Sequence, residues 1–496
     1  MYAKNRVNNN IFSSCCSEYI YKNINTDFFI LKTTPQTYIK NFSNKLCTKS
    51  KLYNMPVKSM FGIILVRHFR NGVFLNREVN ISRRFLINSV RSNSSVAWES
   101  AKPFKDIPSP TSLPFIGTAW QMMPIIGRYS IERQHEANRE KRKIFGDIIR
   151  EKLGPIDAVI CYTVEDLEVL MRNEGTTPHR IEFSTLKAYR ELRKEWFNTS
   201  GLLVIQGEEW RHLRTKTQKH LLKPAAIMEY LDPLQDVSTD FVKRVFQIRD
   251  QNKEIPDMTE ELYKWALENI KLKEARDDQK LTLLQAMLAK KDLSAKDAMV
   301  FVADMLMAGI ETTSHTVGFL LYHLAKNPEK QELLYKEINR LLPSKDMRIT
   351  PTIHDELRYL KACVKESMRL KPVIGGAART LANDVVLSGY KVPAGAMVFV
   401  AYEEIFLSEK NFKNADKFVP ERWLNRQEKP NPFAFVPFGF GPRSCIGKRL
   451  ALLEINSLAI EILRNFKVEY HYEDIGTYSK MVTTPDKPLR FKFIER

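Results

Sequence analysis

From Ser294 to Asn327 the chain carries no proline, and Pro328 is the first to interrupt the run. Ser294 followed by Asp297 is the pattern of a capping box, in which two side chains satisfy the first backbone N–H groups of a helix. The spacing predicts a helix from about Ala295 to Ala325, roughly 45 Å long. A rod of that length crosses an entire domain, so other elements must wrap it, and the rest of the pattern is mostly helical. The predicted architecture is mainly α with a small β-rich region. Within residues 379–400, "VVLSGYKVPAGAMVFV" reads as two β-rich runs separated by Gly389 and Pro393–Gly395. In the middle of the rod stands "AGIETT", Ala308 to Thr313. A glycine, an acid and two threonines are poor helix material. The segment is either a kinked core helix with polar residues turned to solvent or a site kept for its chemistry.

At 496 residues the chain exceeds one small core, and 44% apolar against 27% charged residues places it among folded proteins. Its net charge of +19 is uneven: residues 1–97 hold 15 Lys and Arg against three acids, Glu18, Asp27 and Glu78. The excess therefore belongs to a leader, and no nucleic-acid partner is expected for the rest. Residues 60–97, rich in Arg and Ser with one acid, have the composition of a mitochondrial transit segment. Residues 1–59 form an N-terminal extension without pattern, and Met1, Met55 and Met60 are all candidate starts. The longest apolar run of the transit segment, Phe61 to Val66, is far short of a membrane span. Residues 98–117, with Pro103, Pro108, Pro110 and Pro114, are expected to be a stiff linker ahead of a functional domain over 118–496. Six scattered cysteines (Cys15, Cys16, Cys47, Cys161, Cys363 and Cys445) argue for a reducing compartment rather than a disulfide framework.

Cys445 stands apart. In "PFGFGPRSCIGKRLA" it follows Gly439, Gly441, Pro442 and Arg443 and precedes Gly447. Two apolar seams come next: Leu452, Ile455, Ala459, Ile462 and Phe466, then Ile446, Leu450, Leu453 and Ile460. They predict an inner helix with Cys445 at its buried N-terminus, where the helix dipole favours thiolate. A structural cysteine needs no such glycines. A nucleophile needs a base, and no histidine lies within twenty residues, although the fold could supply one. A metal ligand fits best. Zinc requires three or four ligands, whereas heme takes a single axial protein ligand and leaves the other face open.

The stretch resembles the heme-binding loop of the cytochrome P450 family, Phe-x-x-Gly-x-x-x-Cys-x-Gly, with Phe438, Gly441, Cys445 and Gly447 in place. Other elements follow in family order over residues 101–496. "KESMR" resembles its Glu-x-x-Arg element, Glu366 and Arg369, and "FVPERW" supplies Arg422 of the same network. The plain alternative is a surface ion pair, worth little. "AGIETT" resembles the oxygen-activating segment: Ala308 and Gly309 leave room for oxygen, while Glu311 and Thr312 form an acid–alcohol pair for proton delivery. "GEEWRHLR" places Trp210 and Arg214 at positions that, with Arg379 and Arg443, hold the heme propionates. The resemblance implies the P450 fold, heme b with Cys445 as thiolate ligand, and O2 as co-substrate.

The leader, the lack of an apolar anchor and Lys361 with Lys365 resemble the mitochondrial branch. That branch implies docking of an acidic [2Fe-2S] ferredoxin at these lysines, with Lys448 and Arg449 near the same face. It further implies electrons from NADPH, peripheral association with the matrix side of the inner membrane, and a small lipophilic substrate, steroid-like, ecdysteroid-like or xenobiotic. One departure is evident. Between Ile270 and the long helix the family runs through further helices that lid the pocket, whereas here "KLKEARDDQKLTLLQAMLAKK" supplies 21 residues. The domain is shortened around 270–291, which leaves two alternatives to an active monooxygenase: a heme protein made inactive or uncoupled by an open pocket, and a donor-independent peroxide isomerase.

Overall fold

The computed structural model describes residues 98–153, 156–271, 294–425 and 430–496; the leader and, from residue 272, the shortened stretch lie outside them. The long helix runs over Ala295–Lys326 with the expected capping box: Asp297 N–H donates to Ser294 Oγ and Ser294 N–H donates to Asp297 Oδ2, each at 3.1 Å. Pro328 opens the next helix, Pro328–Leu341, where its missing N–H costs nothing. From Thr313 to Leu324 every residue of the long helix is buried. The helices Thr259–Lys271, Arg358–Leu370 and Lys448–Asn465 pack around it. Both predicted seams of the last helix are realised, with Leu450, Leu453, Ile455, Ile460 and Ile462 buried.

The strands are β1 (Ile148–Leu153), β2 (Ile156–Cys161), β3 (Glu254–Ile255), β4 (Gly376–Thr380), β5 (Val385–Leu387), β6 (Tyr390–Val392) and β7 (Met397–Ala401). After the cysteine helix come β8 (Phe466–Glu469), β9 (Thr477–Ser479), β10 (Thr483–Pro485) and β11 (Phe491–Glu495). One sheet has the order β1-β2-β7-β4, in which β2 and β7 run parallel and Arg379 pairs with Val398, Gly376 with Ala401. The β-rich region around 379–400 is thus present, and the sheet reaches further than the sequence indicates, because β2 recruits β7 across more than 200 residues. β9 and β10 form a hairpin, and β10 packs on the long helix.

Residues 98–117 are not a linker. They are folded onto the domain: Lys102 N–H donates to the Gly389 carbonyl (2.9 Å), Lys391 N–H to that of Lys102 (2.8 Å), and Arg150 N–H to that of Pro108 (2.8 Å). Prolines donate nothing but still accept, so a proline-rich edge can lie along a sheet and a turn.

Candidate active site

The loop before the cysteine helix is held by its own backbone. Cys445 N–H donates to the Phe438 carbonyl (2.8 Å), Ser444 N–H to Gly441 (3.1 Å) and Gly439 N–H to Val436 (2.8 Å). Gly439 and Gly441 both have φ of +70°, a region that other residues avoid, and a Cβ on Gly441 would collide with the carboxylate of Glu174. Gly447 caps the helix that begins at Lys448. Cys445 stands at the entrance of that helix and does not pack into the core: its sulfur opens into a cavity. Nor does the helix entrance alone ionise it. Burial pushes the thiol up, against the Gly447 and Lys448 N–H groups and the charges of Arg214 and Lys448. Desolvation dominates until a cation takes the place of the proton.

The cavity measures about 770 Å³. Phe438, Gly439, Cys445 and Gly447 form one wall; Ala308, Gly309 and Thr312 of the long helix form part of another. Thr312 Oγ1 donates to the Ala308 carbonyl at 2.6 Å, which leaves its lone pairs to accept from whatever enters. Glu311 is absent from the wall, because one residue of helix turns a side chain by about 100°. It is half-buried beside Thr312, and burial raises its carboxyl, opposed by Lys480.

Along a third side the predicted cations converge. Trp210 and Arg214 sit on the helix Gly207–Leu222, Arg379 on β4 and Arg443 in the cysteine loop, and all four line the cavity. Arg443 stacks on the Trp210 ring, 3.9 Å from its centroid. Its Nη2 donates to Gln206 Oε1 at 2.7 Å, and Arg214 Nη2 donates to the Ser444 carbonyl at 2.9 Å. The structure adds Arg180, a lone arginine in a loop with no partner spacing to reveal it, and Glu174, which pairs with Arg379 (2.6 Å). Burial, then neighbouring arginines, lowers Arg443 to about 9; burial, Arg379 and Arg214 lower Arg180 to about 10. Arg180 Nε, Arg214 Nε and Arg443 Nη1 are buried without a hydrogen-bond partner. Such a cluster is costly unless anions arrive to pair with it. Among the described residues no three His, Cys, Asp or Glu side chains converge to bind a metal by themselves. A single sulfur, a glycine-floored slot and orphaned guanidinium donors fit a flat metal cofactor carrying carboxylates.

The Glu-x-x-Arg element is no surface pair. Glu366 and Arg369 are fully buried and joined twice, Nε–Oε2 at 3.0 Å and Nη2–Oε1 at 2.8 Å. Arg422 Nε (3.0 Å), Trp423 Nε1 (2.8 Å) and Val419 N–H (3.0 Å) also donate to Glu366. Arg369 further holds the carbonyls of Phe406, Ala415 and Lys417, tying the helix to the chain that leads into the cysteine loop. Lys365, on the same helix, is exposed; Lys361 is half-buried and 3.5 Å from Asp355. Desolvation of its ammonium, which lies 5.8 Å from the centroid of the Trp423 ring, lowers Lys365, and the charges of Lys448 and Lys361 add to the effect, so the three cations share one face.

With this geometry in hand, the comparisons are specific. The family described as Cytochrome P450 matches residues 107–272 and 269–493, and the chain belongs to it. It is therefore a monooxygenase-family enzyme, and the family implies a heme-thiolate cofactor and the use of O2. Similar proteins include "Probable cytochrome P450 301a1, mitochondrial" of Drosophila melanogaster, 30% identical over 491 residues, which covers 81% of this chain and 89% of the relative. The "1,25-dihydroxyvitamin D(3) 24-hydroxylase, mitochondrial" of Mus musculus is 31% identical over 466 residues, 79% of this chain and 89% of the relative. "Cytochrome P450 CYP12A2" of Musca domestica is 31% identical over 503 residues, 81% of this chain and 93% of the relative. In each case the aligned span exceeds the share of this chain it takes in by dozens of positions.

Proposed function

We propose that this protein is a mitochondrial monooxygenase that inserts one oxygen atom of O2 into a lipophilic substrate, with electrons passed from NADPH through a ferredoxin reductase and a [2Fe-2S] ferredoxin. The observation that carries the reading is the convergence on one cavity of Cys445, Thr312 and three arginines, Arg180, Arg214 and Arg443, that each keep one buried N–H donor unpaired. Heme b ligated by Cys445 supplies, when bound, the one-electron and oxygen chemistry that side chains lack. Arg180, Arg214, Arg379 and Arg443 hold its carboxylates, and Trp210 stiffens Arg443. Thr312, its hydrogen committed to Ala308, accepts a hydrogen bond from the reacting oxygen's side, and Glu311 feeds protons there through water. Replacement of Thr312 by Ala is expected to leave oxygen consumption running while product per O2 falls on the order of tenfold and hydrogen peroxide rises. Unchanged coupling overturns this role.

Relatives with mitochondrial names support that location, and the matrix side of the inner membrane suits a ferredoxin donor. No helix among the described residues is long and apolar enough to cross a membrane, while Phe115 and Ile125 stand fully exposed and support peripheral association. Lys361, Lys365 and Lys448 form the docking face for the acidic ferredoxin. Changing Lys361 and Lys365 together to Gln is expected to weaken ferredoxin binding about tenfold at low salt, with a difference that shrinks as ionic strength rises. Turnover driven by an organic peroxide should not change. Loss of both activities alike would place the lysines elsewhere.

An uncoupled variant of the same reading has its own support. The aligned spans point to a segment missing from this chain. An open pocket admits water and loses substrate orientation. The ratio of product to oxygen consumed decides between the two.

A further inference from the structure

Two adjacent glutamates, Glu403 and Glu404, follow β7 on the short helix Tyr402–Phe406. Glu404 is well paired: Arg142 Nη1 donates to its Oε2 (3.4 Å) and to its carbonyl (3.1 Å), and Arg139 Nε lies 3.7 Å from Oε1. Glu403 is nine-tenths buried and lines the cavity, yet among the described residues its carboxyl has neither a hydrogen bond nor an ion-pair partner. Burial pushes that carboxyl up to about 7, and the charges of Lys371 and Arg139 pull the other way. A buried acid left without a partner costs stability, and a site that keeps one facing a cavity is built for an incoming donor.

Its position defines which donor. On the sheet, Arg379 pairs with Val398 and Gly376 with Ala401, so Glu403 lies roughly 10 Å of strand beyond the arginine that faces the heme carboxylates. Between these ends the wall is largely apolar, with Val373, Ala377 and Phe399. Other polar groups join Glu403 on the cavity wall: His135 Nδ1 meets Ser479 Oγ at 3.2 Å, and both residues line the cavity. An apolar passage with one polar end suits a lipophilic molecule with one polar group. The charges of Lys371 and Arg139 already answer those of Glu403 and its neighbours Glu404 and Glu136, so the carboxyl needs a neutral hydrogen-bond donor rather than a further cation.

We propose that Glu403 determines substrate specificity by accepting a hydrogen bond from a hydroxyl of an otherwise lipophilic substrate, at the end remote from Cys445 and Thr312. The proposal rests on the monooxygenase reading of the cavity, and the test separates the two. The full-length heme-loaded protein is first checked for the carbon monoxide band of thiolate-ligated iron; its absence defeats the underlying reading. Dissociation constants of 1-decanol, its methyl ether and decyltrimethylammonium are then measured by calorimetry at about pH 8.5, where the Glu403 carboxylate can only accept. The wild-type protein should bind decanol about tenfold more tightly than the ether, the value of one hydrogen bond. Glu403→Leu should weaken decanol about tenfold and bring the ratio to about one. Glu403→Gln should keep decanol within about threefold while the ether gains, because an amide can also donate to its oxygen. A normal carbon monoxide band with equal wild-type affinities for decanol and ether overturns the assignment, even if the Leu variant does not fold. Tighter binding of decyltrimethylammonium than of decanol overturns the choice of a neutral hydroxyl.

Discussion

Cys445→Ala yields a folded chain whose carbon monoxide difference spectrum has lost the Soret band of thiolate-ligated iron completely. The two halves of that expectation have separate physical grounds. The loop owes its shape to backbone bonds, Cys445 N–H to the Phe438 carbonyl among them, and to Gly439 and Gly441 at positive φ, none of which involves the sulfur. The side chain faces the cavity rather than packing into the core, so its removal leaves no hole in the apolar interior. Stability of the heme-free chain should therefore move by no more than about 0.5 kcal/mol, the range of substitutions that break no packing. The band is a different matter, because among the described residues no other cysteine lines the cavity; Cys161 and Cys363 are buried in the protein interior. Equilibrium denaturation without heme checks the first half and the reduced spectrum the second. A retained band would remove Cys445 from the iron and with it the whole reading of the cavity. Loss of the fold alongside the band would show that the sulfur has a structural role the geometry does not reveal.

What the sequence made legible follows from how local each signal is. The long helix was readable to within a residue because proline exclusion and a capping box are local rules, and Ser294, Asp297 and Pro328 obey them. The cysteine loop was readable because positive-φ glycines and a helix entrance lie within ten residues of the sulfur. Arg180 was not readable. It stands alone in a loop, and only the fold brings it beside Arg214 and Arg379, where mutual repulsion gives it meaning. The proline-rich stretch misled for a related reason: composition reports stiffness, while docking depends on acceptors such as Pro108 meeting donors such as Arg150 across the chain. For Cys445 the sequence shows only one of the two opposing effects on the thiol. A helix dipole is a local term, whereas desolvation depends on everything packed around the sulfur. Glu403 and Glu404 form the sharpest case, two identical neighbours that both line the cavity, of which Glu404 is satisfied by Arg139 and Arg142 while Glu403 has no such partner among the described residues.

Glu366→Ala is expected to abolish accumulation of folded holoprotein. Glu366 accepts from Arg369 twice, from Arg422, from Trp423 and from the Val419 N–H, all at 2.8–3.0 Å. Truncation leaves the guanidinium of a fully buried Arg369 without its counter-charge, which alone costs about 3–5 kcal/mol. The orphaned indole and backbone donors add to that cost, against a total stability of about 5–15 kcal/mol for a typical domain. Glu366→Gln keeps the shape but turns an N–H₂ group toward other donors, so it should fall between the parent and Ala in denaturant midpoint and in heme bound per chain. The decisive variant is the double substitution Glu366→Leu with Arg369→Met. If the pair served only to neutralise itself, an apolar replacement of similar volume would restore stability. Arg369, however, also satisfies the carbonyls of Phe406, Ala415 and Lys417, and Met cannot. The double variant should therefore recover only part of the loss, with the deficit concentrated where those carbonyls lie, on the segment leading to the cysteine loop. Hydrogen exchange over residues 406–425 measures that deficit directly. Full recovery of stability with parental protection there would mean that the arginine tethers nothing and that the cysteine loop is positioned by its own glycines alone.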